Sequence, residues 1–384
     1  MIPKKEKKRL FFFELIGRLD WLLIFFIVSL CGYGLLMVHT STYDAITSTP
    51  SPLFYKQAMW IGIGLVAMFF MAFIDYHYLV KSAFIWYLLL LAILVFVLLH
   101  GSVGMGAQRW IRIGGIAFQP SEFGKLVLVL VFARYFSEYA PKENLGLKDI
   151  WKPLLLLSVP VVMIAKQPDL GTALVFVFLF VIITFVSGIR IKLLINTIAV
   201  GILSLPLLWA SMRDYQKRRV LNFLDPESDP FGAGYHVIQS KIAIGSGGLF
   251  GKGLLEGTQS QLRFLPERHT DFIFSVMAEE LGMIGCLIFF SLFFMLVLRG
   301  FEIARSAKDK EGFVLAVGIL SIFVLHSFIN LGMTMGLLPV VGVPLPFLSY
   351  GGSSMVMVLA GLGVVLNIRV RRLRFNSEND VIVH

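Results

Sequence analysis

The chain has 384 residues, of which 57% are hydrophobic and only 15% are charged. A soluble domain of this length buries a core but cannot hide that much apolar surface, so lipid has to be the second solvent. The net charge of +10 therefore speaks first about topology, because cytoplasmic loops collect Lys and Arg, and not about nucleic acid. Cys31 and Cys286 both lie in apolar stretches, which excludes a disulfide framework and a CxxC metal site.

In chain order, the basic run from Lys4 to Arg9 could open a signal peptide. The apolar run 21–38 that follows is long enough to span and lacks a small-residue cleavage site, so it reads as a retained first helix. Further spans are expected at 57–73, 82–99, 121–137, 153–165, 172–187, 193–211, 275–298, 313–335 and 353–368. The expected fold class is all-α, a polytopic membrane protein with about ten transmembrane helices. Segment 153–165 is short for a hydrocarbon core of about 30 Å and carries Pro153 and Pro160, so a tilted, broken or re-entrant helix is expected there.

Basic flanks orient the chain. Lys81, Lys142, Lys148, Lys152, Arg190, Lys192, Arg299, Arg305, Lys308, Lys310 and the Arg369–Arg374 cluster are expected on the cytoplasmic side with both termini. The outer side then receives loops 39–56, 100–120, 212–274 and 336–352. Loop 212–274 is too long for a simple connector and is aromatic and aliphatic throughout, which suits an ordered amphipathic cap. The expected organisation is a cytoplasmic tail at 1–20, one membrane domain at 21–368 that includes this loop, and a second tail at 369–384.

Charges in or beside apolar spans are costly and by default point to function. Gln108-Arg109-Trp110 is followed by Gln119-Pro120-Ser121-Glu122 and Lys125. Glu122 and Lys125 share a helix face and can pair, either catalytically or as a structural lock. Lys166-Gln167-Pro168-Asp169 suits a turn as readily as a site. Asp271 follows Leu265-Pro266-Glu267-Arg268-His269-Thr270 and precedes a fully apolar helix, so a plain helix N-cap is its bland reading. Ser349-Tyr350-Gly351-Gly352 opens the last span, where free N–H groups and glycine suit an anion but also suit close helix packing. His326 and Asn330 share one helix face and could bond between helices without a catalytic role. The run from Gly245 to Gly253 imitates a phosphate-binding loop but has Ser246 and Gly253 at positions that need Gly and Ser or Thr. His269 lacks zinc-site spacing.

Taken together, Gly106-Ala107-Gln108-Arg109-Trp110, Gln119-Pro120-Ser121-Glu122, Gln167-Pro168-Asp169-Leu170-Gly171-Thr172, Leu265 to Phe274 and Leu338 to Ser354 resemble the SEDS family (shape, elongation, division and sporulation) along nearly the whole chain. Gln108, Leu170, Arg268 and Val340-Val341 resemble its rod-shape branch more than its division branch. The resemblance implies a peptidoglycan glycosyltransferase that polymerises lipid II on the outer face of the cytoplasmic membrane. It also implies a class B penicillin-binding protein as partner within an elongation complex. Asp271 matches the family's essential acid, and Glu122, Lys125 and Asp169 match other sensitive positions.

Sugar transfer from a lipid pyrophosphate needs a base and positive groups for the leaving group. The expected catalytic set is Asp271, Glu122 and Lys125, with Arg109, Trp110, Asp169, Arg268, Ser349, Gly351 and Gly352 binding substrate. Arg213, Arg218, Arg219 and Arg263 form a further pool of cations on the long loop. A divalent cation, Mg or Mn, is a candidate cofactor with Asp271, Glu122 or Asp169 among its ligands. A flippase for the lipid-linked precursor and a non-enzymatic scaffold are the competing readings.

Overall fold

The protein is described by a computed structural model that covers residues 17–43, 49–104, 107–114, 116–140, 145–212, 214–225, 233–262, 264–265 and 267–381. Lys4 to Arg9, Gly106, Lys142, Arg213, Arg263 and Pro266 lie outside the described residues.

The architecture is a bundle of apolar helices. Helix α1 (Trp21–Thr42) starts at Asp20, whose carboxylate accepts from the Leu23 amide at 3.0 Å. Helix α2 (Pro52–Phe73) has the Ser51 hydroxyl as cap and proline in its first turn, where the missing N–H costs nothing. Short α3 (Tyr76–Lys81) leads into α4 (Ala83–His100). Next comes a small antiparallel sheet that hydropathy does not announce: β1 (Ser102–Gly104), β2 (Ala107–Ile113) and β3 (Ile116–Phe118), in that spatial order. Pro120 then opens α5 (Pro120–Glu138).

Helix α6 (Leu147–Lys166) is continuous, so of the tilted, broken or re-entrant forms expected from Pro153 and Pro160 the broken one does not hold. It begins before the apolar run, at Gly146, whose amide donates to the Asp149 carboxylate at 2.8 Å, and both prolines are buried within it. Helix α7 (Leu170–Val186) returns from the turn. The expected span 193–211 instead divides at Ser204 into α8 (Ile191–Leu203) and α9 (Leu205–Ser211). Pro206 explains the break, since it has no N–H to donate to the preceding turn.

The long loop carries α10 (Asp214–Leu224), α11 (Ala233–Ser246) and α12 (Thr258–Gln261). Ser240 ties α11 to the two following helices: its hydroxyl lies 2.6 Å from the Ser275 hydroxyl and donates to the Thr334 carbonyl at 2.6 Å. Those helices are α13 (Ile273–Arg305) and α14 (Lys310–Thr334), and α15 (Gly352–Val381) ends the fold. Among the described residues, six helices, α1, α2, α4, α13, α14 and the Gly352–Arg372 part of α15, are long and apolar enough to cross a membrane, and α7 and α8 are shorter apolar helices. The all-α, multi-pass class therefore holds, while ten full spans are not all met by length and composition. Helices α5 and α6 carry charged residues that keep them from qualifying: Glu122, Lys125, Arg134 and Glu138 in one, Lys148, Asp149, Lys152 and Lys166 in the other.

Helix α13 is broken at Gly282, which takes φ +64°. The glycine-rich loop after α11 enters the break and replaces the lost helical bonds: Met283 donates to Gly248 at 2.9 Å and Ile284 to Leu249 at 3.1 Å, while Lys252 donates to Glu279 at 3.0 Å and Gly253 to Glu280 at 3.0 Å. That run of glycines therefore serves backbone-to-backbone packing, because a Cβ at Gly247, Gly251 or Gly282 would strike the facing main chain. Lys252 also pairs with the buried Glu279 at 2.8 Å. One apolar cluster, from Leu19 to Val370, packs the bundle.

Candidate active site

Asp271 sits two residues before α13, in a tight turn. Thr270 and Phe272 both donate to the Glu267 carbonyl, at 3.1 and 3.3 Å, and Glu267 takes φ +52°. The helix-cap reading of Asp271 does not hold: Phe272 occupies the cap position and no side chain caps the helix. The Asp271 carbonyl instead accepts from the Asn330 amide on α14 at 3.0 Å. Its carboxylate meets the 338–343 segment, where a Cβ at Gly342 (φ +70°) would stand 3.3 Å from it.

Asp271 lines a cavity of about 370 Å³ with Arg109 from β2, Arg219 and Asn222 from α10, His236 from α11, Glu267, and Leu338 to Gly342. Burial is the main influence on its carboxyl and pushes it up, the nearby Glu267 adds to this, and Arg109 and Arg219 pull the other way, leaving it at about 6. An acid poised there is a competent proton acceptor near neutral pH.

The remaining expected residues fall into three groups. Asp169 caps α7, accepting from the Thr172 amide at 3.3 Å and the Thr172 hydroxyl at 3.0 Å. It also takes the Gln119 amide at 3.1 Å and faces Arg109 at 3.5 Å. The turn reading and the site reading of Asp169 thus coincide. Trp110, next to Arg109 on β2, is not among the residues lining the cavity, as strand alternation requires.

Glu122 and Lys125 pair at 2.6 Å inside the bundle, both buried, and Lys125 Nζ also lies 2.8 Å from His326 Nε2 on α14. This trio lies outside the lining of the Asp271 cavity. Asp169 connects the two, since its charge acts on both Lys125 and Asp271.

The tip of the last helix is filled by the protein. Gly351 donates its amide to the Gln57 side chain at 3.2 Å, and the Ser349 hydroxyl donates to the Thr270 carbonyl at 2.6 Å. A Cβ at Gly352 would run into the Trp60 ring. Those three positions secure the Asp271 turn and helix packing, and the Ser349, Tyr350 and Gly351 amides already have partners within the protein. Arg268 is partly buried in the same turn and lies outside the cavity lining.

Gln119 and Glu267 fall inside motifs singled out from the sequence without a role of their own, whereas Asn222 and His236 join the cavity with no sequence signal. Among the described residues, no group of three or more His, Cys, Asp or Glu is arranged to hold a metal ion. A second cavity of about 240 Å³ is wholly apolar and runs along α5 past Phe123, Leu126 and Leu130, with Met71, Trp86 and Val364 opposite.

Comparison with known proteins identifies the family. The family model described as cell cycle protein, of the FtsW, RodA and SpoVE type, matches residues 21–373. The peptidoglycan glycosyltransferase MrdB of Escherichia coli K12 is 43% identical over 355 residues, covering 92% of this chain and 94% of that protein. The peptidoglycan glycosyltransferase RodA of Treponema pallidum is 31% identical over 426 residues, covering 92% and 98%. Among solved structures, a peptidoglycan synthase complex described as coordinating polymerization and crosslinking matches with a TM-score of 0.77 at 34% identity, covering 92% of this chain and 98% of that one. The rod shape determining protein RodA of Thermus thermophilus matches with a TM-score of 0.69 at 31% identity, covering 92% and 97%. The chain belongs to the FtsW/RodA/SpoVE family, and within it is RodA-like.

Proposed function

We propose that the cavity at Asp271 is where this chain polymerises lipid II. The protein is a peptidoglycan glycosyltransferase of cell elongation, in keeping with its relatives MrdB and RodA. The observation that carries the site assignment is Asp271 itself, an acid held at about 6 in a cavity that it shares with Arg109 and Arg219.

In the proposed reaction, the hydroxyl oxygen of the incoming sugar bonds to the anomeric carbon of the lipid-linked sugar. The bond from that carbon to the pyrophosphate oxygen breaks, and the hydroxyl proton passes to Asp271. Arg109 and Arg219 face the same space and neutralise the departing pyrophosphate, with Lys125 beyond them. Each such contact is worth about a hundredfold or more in turnover. Asp169 holds Arg109 in place. The apolar groove along α5 suits the polyprenyl tail, which stays in lipid while sugars and peptide face water.

A divalent cation fits this cavity only together with substrate. Asp271 and Glu267 supply two carboxylates, and Mg is commonly held by one or two carboxylates plus substrate phosphates. When bound, it would neutralise charge on the leaving group.

The cavity belongs on the outer side of the cytoplasmic membrane with both termini inside, as the Lys and Arg distribution favours. A class B penicillin-binding protein is the proposed partner, supported by the likeness to a synthase complex that coordinates polymerization with crosslinking. The deciding experiment supplies lipid II to purified wild type and Asp271→Ala, with and without that partner, and measures glycan strands. Strands from the wild type alone are expected. Equal synthesis by the variant, or movement of lipid II between leaflets without polymer, overturns the proposal.

A further inference from the structure

Lys125 and Asp271 come from helices far apart in sequence, and the groups joining them sit on one face of α14. His326 and Asn330 are four residues, about one turn, apart on that face. Asn330 donates to two carbonyls, that of Asp271 at 3.0 Å and that of Val343 at 2.9 Å. His326 meets Lys125 through Nε2 at 2.8 Å, and its ring lies beside the Pro344 backbone. Asn330 therefore holds Val343 and His326 lies against Pro344, a stretch that continues directly from the cavity wall at Leu338 to Gly342.

The Lys125 environment sets a narrow chemical requirement. An ammonium has three N–H donors and no acceptor. Glu122 takes one at 2.6 Å and His326 takes a second. A second carboxylate in place of His326 would give the buried cluster a net negative charge and quench the cation. An apolar residue would leave a donor unmet in a dry site. A neutral imidazole accepts from Lys125 at Nε2 and leaves its other nitrogen free to donate toward the neighbouring backbone, so one side chain fixes the direction of the cation next to the cavity wall.

We infer that His326 is a positioning residue for the polymerisation reaction: it accepts a hydrogen bond from Lys125 and so aims the remaining N–H of the ammonium while linking it to the Asp271 cavity wall. The inference rests on the role proposed above for Lys125.

The test uses the purified full-length protein with its partner and lipid II, comparing His326→Leu, His326→Gln, His326→Asn and Lys125→Met. Glutamine places an amide where Nε2 stands, whereas asparagine reaches only to Nδ1. Turnover by His326→Leu should fall about a hundredfold, with KM moving less than about threefold. His326→Gln should recover most of that loss, and His326→Asn little of it. Wild-type turnover in His326→Leu overturns the inference, as does equal turnover in the Gln and Asn variants. The Gln and Asn pair decides the matter if the leucine variant does not fold. Wild-type turnover in Lys125→Met sinks the underlying role of Lys125, whereas an inactive Lys125→Met beside an active His326→Leu sinks this inference alone.

Discussion

Arg109 Nη1 stands 3.5 Å from Asp169 Oδ1, and the same arginine lines the cavity of Asp271. A strand residue is thereby held by a helix cap, and the cap is itself braced by Gln119 and Thr172. This arrangement makes separable predictions for charge and for capping. Asp169→Asn keeps one oxygen to cap α7 but loses the charge and turns the other acceptor into an NH2 group among donors, so its melting temperature should fall modestly while turnover falls about tenfold or more. Asp169→Ala also loses the cap, worth about 1 kcal/mol, and should melt lower. Thermal unfolding and strand synthesis on both variants check this.

The pH dependence follows from the same cavity. With Asp271 at about 6 and needed as the carboxylate, turnover should fall as pH drops through about 6. Glu267 raises that carboxyl, so Glu267→Gln should move the acid limb to lower pH; Arg219 lowers it, so Arg219→Ala should move the limb upward. Turnover measured from pH 5 to 8 reads both shifts.

Stability carries the opposite sign from activity. The folded carboxyl of Asp271 lies above its ordinary value, so the fold favours the protonated form, and that contribution is lost as pH rises through about 6. Asp271→Asn should therefore be inactive yet melt above wild type at pH 8, with the gap closing toward pH 4. Paired melts at the two pH values are the measurement.

Glu122 and Lys125 are a buried pair, and breaking one member leaves the other charge uncompensated. Lys125→Met should cost about 3–5 kcal/mol. The double variant Glu122→Leu with Lys125→Met should recover stability, because no buried charge remains, while staying inactive. Thermal shift and polymerisation assays on the two singles and the double complete the cycle.

Gly282 leaves helical geometry so that the Gly248–Gly253 loop can bond into α13. Gly282→Ala forces a side chain onto the Gly251 amide at φ +64° and should lower the melting temperature by several degrees. Trypsin sensitivity of the loop around Lys252 should rise in parallel.

Much of the molecule was readable from the residues in order. Apolar run length announces helices in water or lipid alike, so α1, α2, α4 and α14 start and stop near the expected limits, while α13 and α15 start there and run on past the apolar residues. Glu122 and Lys125 were legible as a pair because three-residue spacing on a helix brings side chains together without help from the rest of the chain. Asp169 and Asp271 stood out because charge beside apolar helices is costly. Short-range covalent geometry and solvent preference were enough for these features.

Other features depend on which surfaces meet. The contact between Lys125 and His326 spans 201 positions of sequence, and no local rule specifies it. Gln57 takes the Gly351 amide at the helix tip from a different helix, so that amide serves packing. The run from Gly245 to Gly253 fails as a phosphate loop on its own residues, but only its partner, the break at Gly282, shows what the glycines serve. Hydrogen-bond satisfaction is a property of the whole buried neighbourhood, so only the tertiary structure could decide which amides, cations and carboxylates remain for a substrate.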